Sequence, residues 1–100
     1  MEETNKLSLS DDQIEELCIL ADEAARKYVT SKISKNEITD LVVSVNLEDT
    51  QELVVQIEVE LSLSDMYTKE DAKKLAGEAV KSAFRAIDEY VKEVRCQPKT

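Results

Sequence analysis

The feature that most constrains this chain is an apolar period of two across its middle. Leu41, Val43, Val45 and Leu47 alternate with Val42, Ser44 and Asn46, and Leu53, Val55, Ile57, Val59, Leu61 and Leu63 alternate with Val54, Gln56, Glu58, Glu60 and Ser62. That period belongs to strands with one buried face. Both apolar sets are odd-numbered, so burying them together in a hairpin requires opposed residues to sum to an even number, which excludes a two- or four-residue loop with simple pairing. The natural register sets Leu47 opposite Leu53, with the turn at Glu48 to Glu52, tightened by a bulge. Val45 then faces Val55, Val43 faces Ile57 and Leu41 faces Val59. On the reverse face Asn46 meets Val54, Ser44 meets Gln56, Val42 meets Glu58 and Asp40 meets Glu60.

Helical periodicity flanks the hairpin on both sides. Ser10 stands as an N-cap with Gln13 three residues on, a capping box, and Leu9 and Ile14 are spaced for a hydrophobic staple. From there Ile14, Leu17, Cys18, Ala21, Ala25 and Tyr28 form one stripe, and the helix is expected to end between Ser31 and Ile33. Asp11, Asp12, Glu15 and Glu16 complement its positive end, and Arg26, Lys27 and Lys32 its negative end. Thr68-Lys69-Glu70-Asp71 opens a second helix whose stripe runs Ala72, Leu75, Ala76, Ala79, Val80, Ala83, Ile87, Val91 and Val94, with Phe84 and Tyr90 at its margins.

The predicted class is α+β: a two-layer αββα arrangement, with two antiparallel helices packed on one face of an antiparallel hairpin. Alanines 21, 24 and 25 on one helix and 72, 76, 79 and 83 on the other permit close approach. Residues 9–95 are expected to form a single domain, between a disordered N-terminal tail (1–8) and a C-terminal tail (96–100). With 100 residues there is enough chain to bury a core without metals or disulfides.

Charge is distributed unevenly. Between Asn36 and Thr68 there are eight carboxylates (Glu37, Asp40, Glu48, Asp49, Glu52, Glu58, Glu60, Asp65) and no lysine or arginine. The net charge of −9 opposes nonspecific binding to nucleic acid or to an anionic membrane. The start of the chain, Met1-Glu2-Glu3-Thr4-Asn5, is acidic where a secretory signal is basic and then apolar. A cytoplasmic location is expected.

The run LSDDQIEELCILADEAARKYV, the strand pair EITDLVVSVNL and ELVVQIEVELSL, and DAKKLAGEAVKSAFRAIDEYV resemble archaeal domain-of-unknown-function family 3194. The resemblance covers the chain from Leu9 to Val94. It rests on an acid-rich helix leading into Tyr28-Val29, a turn ending in Glu37-Ile38, and a late Glu78-Ala79-Val80. It implies a short, cytosolic archaeal protein of no assigned activity, and so transfers no catalytic or binding residue. The family's frequent gene neighbours, a prefoldin subunit and translation proteins, point toward chaperone or ribosome work.

Candidate chemistry is sparse. There is no histidine, hence no imidazole base and no His-containing metal site. Asp40, Glu58 and Glu60 group on the reverse sheet face, where a flat surface neither desolvates a carboxylate pair nor converges oxygens on a cation. A solvated acidic face is therefore expected ahead of divalent-cation binding or acid–base work. Cys18 reads as a small core residue and Cys96 as exposed; a disulfide between them is open to the geometry, although cytosolic thiols stay reduced. No enzymatic role, catalytic residue, cofactor or metal is expected.

What remains is a two-stranded sheet with open edges. The expectation is a protein–protein interaction module that forms a homo-oligomer through the sheet, with Val42, Ser44 and Asn46 along the edge of the first strand. Asp40, Glu58 and Glu60 would meet a basic protein partner, chaperone- or translation-associated. The alternative is an RNA- or ribosome-associated protein using Lys69, Lys73, Lys74 and Lys81, and the second alternative an enzyme of unknown type.

Overall fold

The computed structural model describes residues 9–49 and 53–95. Helix α1 spans Asp11–Lys32, a single 3₁₀ turn spans Lys35–Glu37, strands β1 (Ile38–Asp49) and β2 (Leu53–Leu63) follow, and helix α2 spans Lys69–Arg95. The segments expected to be tails, 1–8 and 96–100, lie outside the described residues, as do Cys96 and the turn residues 50–52.

Both helix starts are fixed by side chains that satisfy orphan backbone donors. The Ser10 hydroxyl accepts from the Gln13 amide at 3.2 Å, and the Gln13 carbonyl Oε1 accepts from the Ser10 amide at 3.0 Å. Asp71 serves the same purpose at α2: its carboxylate accepts from the Thr68 amide at 3.1 Å while the Thr68 hydroxyl accepts from the Asp71 amide at 3.0 Å. A shorter acid thus closes the box as Gln13 does in α1. Helix α1 ends at Lys32, within the expected range, with the Ile33 amide donating to the Val29 carbonyl.

The strands pair antiparallel, in a register two residues away from the sequence expectation. Asp49 opposes Leu53, Leu47 opposes Val55, Val45 opposes Ile57, Val43 opposes Val59 and Leu41 opposes Leu61. Leu47 is therefore not opposite Leu53. The strands continue to Asp49 and Leu53, so the connection is three residues rather than the five from Glu48 to Glu52. A slip of two conserves which face every residue occupies, so the odd-numbered set is still the inner one and burial alternates strictly along β2.

The register breaks between Ile38 and Asp40, where Thr39 is the extra residue of a bulge. Ile38 opposes Leu63, which turns an even-numbered side chain onto the apolar face where it joins the packed set. This bulge lies at the far end of β1 from the turn; the turn itself, where the sequence placed one, lies outside the described residues.

The core lies between the helices and the inner sheet face. Leu17, Ala21, Ala25 and Val29 of α1 and Ala79 and Ala83 of α2 have no exposed surface. Ile38, the odd-numbered residues from Leu41 to Leu47 and those from Leu53 to Leu61 pack against them. The helices run antiparallel: Tyr90, late in α2, bonds to Glu16, early in α1, while Tyr28, late in α1, shares a groove with Leu75 and Glu78, early in α2. Of the described residues, no buried one is polar or charged, so the core is held by apolar burial and close approach of small side chains.

Candidate functional site

With both helices on one side, the even-numbered residues of the strands form an exposed second face. From one end to the other, Glu48 opposes Val54, Asn46 opposes Gln56, Ser44 opposes Glu58, Val42 opposes Glu60 and Asp40 opposes Ser62. Val42 and Val54 are each 41% exposed, large fractions for valines in paired strands. The Asn46 amide nitrogen lies 3.5 Å from Gln56 Oε1. Asp40, Glu58 and Glu60 do share this face, as the sequence indicated.

Their pairing differs from that reading in a way that matters energetically. Asp40 faces Ser62 and Glu58 faces Ser44, so neither the expected Asp40–Glu60 pair nor the Val42–Glu58 pair exists. Like charges directly opposite destabilise a sheet; here the carboxylates are placed diagonally or along one strand. The observed register spreads the acid along the face and keeps it anionic.

Both strands are edges, because the sheet consists of β1 and β2 alone among the described residues. Beside β2 runs a groove. One part, of 590 Å³, is lined by Val55 to Glu58 of β2, by Ser44 to Asn46 of β1 and by Phe84 of α2. The next part, of 480 Å³, takes in Val59 to Ser62 together with Asp40, Lys69, Ala72, Lys73 and Ala76. The two parts together adjoin eight consecutive residues of β2, 55–62, while on α2 the second is lined by Lys69, Ala72, Lys73 and Ala76 at spacings of three and four and the first by Phe84, eight residues further on.

Phe84 is the residue the sequence undervalued. It sits next to fully buried Ala83, about 100° round the helix, and is 41% exposed where it lines the groove. Its place at the margin of the stripe was the available signal. The helix lysines are likewise drawn into mixed surroundings: Lys69 and Lys73 line the groove with Asp40 and Glu60, and Lys74 lies in another with Asp71 and Glu78.

The protein-family model described as "Protein of unknown function (DUF3194)" matches residues 7–90. The chain belongs to this family. DUF3194 relatives include an uncharacterised protein of Thermococcus kodakarensis, 27% identical over 86 residues that cover 86% of this chain and 79% of that one. Another, from Methanothermobacter thermautotrophicus, is 25% identical over 83% of this chain and 89% of its own. Among solved structures, the solution structure of a hypothetical protein of M. thermautotrophicus superposes with a TM-score of 0.75 at 25% identity, covering 89% of this chain and 96% of that one. A crystal structure from Thermococcus onnurineus gives 0.74 at 28% identity, covering 91% and 87%. The αββα fold is thus shared by this DUF3194 chain and its solved archaeal neighbours.

Elsewhere in this DUF3194 chain several ionisable side chains are held in local structural bonds. Arg26 Nε lies 3.1 Å from both carboxylate oxygens of Asp22, and Lys92 Nζ lies 3.4 Å from Asp88, both one turn apart on exposed helix faces. The Lys32 ammonium stands 5.6 Å from the centre of the Tyr28 ring. Ser64 donates to the Glu37 carboxylate and the Ser64 amide to the Glu37 carbonyl, closing the bulged end of the hairpin. Burial, and then the charge of Glu15, push the Cys18 thiol above its ordinary range, which disfavours the nucleophilic thiolate. Among the described residues no three acidic or thiol side chains are grouped to hold a metal ion, and no helix is long and apolar enough to cross a membrane.

Proposed function

We propose that the protein is a protein–protein interaction module that self-associates by pairing the free edge of β1 with the same edge of a second copy. The observation that carries this is the unequal charge of the two edges of an open, two-stranded sheet. Between its acidic ends β1 presents Val42, Ser44 and Asn46 on the outer face, whereas β2 presents Glu58 and Glu60. A two-stranded sheet is marginal in isolation and gains from extension. An antiparallel pair of β1 strands gives a four-stranded sheet around a two-fold axis.

With all four helices on one side, opposed residues must again sum to an even number. Centring the axis on Ser44 would set Asp40 opposite Glu48 of the other copy. Centring it on Val43 sets Asp40 opposite Asn46 and Val42 opposite Ser44, with no acidic pair in direct opposition between residues of the two β1 strands. The second register is the one proposed.

The role is one of binding in the cytoplasm, without catalysis. The lysines of α2 lend an RNA-binding reading no separate support, since Lys69, Lys73 and Lys74 share their grooves with carboxylates. Sedimentation equilibrium of the full chain tests the proposal: a concentration-dependent monomer–dimer equilibrium is expected, and a monomer at every concentration overturns it.

A further inference from the structure

We propose that the groove between the free edge of β2 and α2 captures an extended, basic segment of a partner protein, added to the sheet as a third strand. This edge is opposite to the one assigned to self-association, so the two interactions are separable.

Three observations converge on it. First, two successive cavities, one lined by Val55 to Glu58 together with Ser44 to Asn46 and the other by Val59 to Ser62 together with Asp40, between them adjoin eight consecutive residues of β2, so an edge strand is flanked by open space along much of its length. Strand addition uses this arrangement: the main chain supplies hydrogen bonds and alternate side chains enter the space beside the edge. Secondly, the helix wall presents the small side chains Ala72 and Ala76 alongside Lys69 and Lys73, which share that stretch with Asp40 and Glu60, and beyond it stands the half-exposed ring of Phe84, beside Glu58 and away from the lysines. Such a wall admits apolar side chains of moderate size at every second position of the added strand. Thirdly, the other face of that strand would lie directly beside Glu58 and Glu60, whose partners within the sheet are Ser44 and Val42 and carry no charge. Lysine or arginine at those alternate positions would be opposed to carboxylates, and acidic residues would be repelled. The occupant is therefore a segment in which basic and apolar residues alternate.

A second copy of this chain fits the groove less well. Symmetric pairing of β2 about Glu58 or Val59 would set glutamates directly against one another, pairing about Ile57 would set them against Gln56 and Val54 and leave both without a counter-charge, and β2 has no basic residue to offer.

The test uses the full chain and two short synthetic peptides with the same alternating valines, the intervening residues being lysine in one and glutamate in the other. Binding is read by fluorescence anisotropy and by amide shifts in ¹⁵N-labelled protein. The lysine peptide is expected to bind about tenfold or more tightly than the glutamate peptide, to weaken with salt, and to shift amides of residues 55–62 and of Phe84. The double variant Glu58→Lys, Glu60→Lys, checked for folding by circular dichroism, is expected to invert the preference, and Phe84→Ala to weaken both of its complexes. Equal binding of the two peptides, binding of neither, a preference unmoved by the charge reversal, or shifts confined to β1 would each overturn the proposal. So would a charge-reversed variant whose sedimentation weight differs from wild type, because a second copy would then occupy the groove.

Discussion

The Tyr90 hydroxyl donates a 2.9 Å hydrogen bond to Glu16 Oε1, joining the late part of α2 to the early part of α1 across 74 residues of sequence. This bond, followed by partial burial and the charges of Glu16 and Glu93, raises the phenol above its ordinary value of 10.0. The native state thus holds the phenolic proton more tightly than the unfolded chain does. Stabilisation from a raised pKa is complete below the unfolded value and is lost as the pH climbs through the folded one. Tyr90→Phe should therefore lower Tm modestly at neutral pH, and the gap to wild type should close through the alkaline titration. Thermal melts across that range check it; a gap that stays constant with pH would mean the bond does not form in solution.

Gly77 lies in the middle of α2, on an exposed turn, and a Cβ placed there meets nothing within 4 Å. No positive φ is present at this position to require glycine. Replacement by alanine should then remove only the entropic penalty of glycine in a helix interior, raising stability by roughly 0.5–1 kcal/mol. Chemical denaturation decides the matter: unchanged or reduced stability of Gly77→Ala would show that this surface is covered in the native protein, as by a partner copy.

Ala79 poses the opposite situation. It is fully buried in the cluster with Ala83 and Leu17, where small side chains set the spacing between α2, α1 and the sheet. Ala79→Leu should destabilise by about 1–3 kcal/mol through overpacking, and Leu17→Ala by about 2–5 kcal/mol through a cavity. If Ala79→Leu were neutral, the two layers would be looser than their burial indicates.

These contrasts show what a one-dimensional pattern can carry. Ser10 with Gln13 and Thr68 with Asp71 were readable as caps because a cap is a local matter of a few residues. The faces of β1 and β2 were readable because alternation is itself the face. The register was not: Leu47 opposite Leu53 and Leu47 opposite Val55 bury the same side chains, so the apolar pattern is blind to a slip of two. Loop length decides it, and no Gly or Pro marks the short connection between Asp49 and Leu53. Ile38 was obscured for a similar reason, since its even number belongs to the outer set until the extra residue Thr39 turns it inward. The groove beside β2 was hidden because it joins residues of the hairpin to a flank of α2, a relation that depends on how the layers sit and not on either period alone.

Along any paired strand the backbone N–H groups alternate, one pointing to the neighbour and the next to the free side. Val43 and Ser44 are consecutive in the middle of β1, so one donates toward β2 and the other toward the edge proposed for dimerisation. Proline removes the donor and intrudes on whichever strand it faces. At the inward position it should cost a ladder bond and damage the hairpin, visible as lost circular dichroism and a lowered Tm. At the outward position the hairpin should survive while the four-stranded sheet cannot form, giving a folded protein that sediments as a monomer. The asymmetry between Val43→Pro and Ser44→Pro is thus the measurement of interest. Two folded dimers would exclude β1 as the interface, and two unfolded variants would be resolved by N-methylation of each amide in semisynthetic protein, which removes the donor without imposing the proline ring.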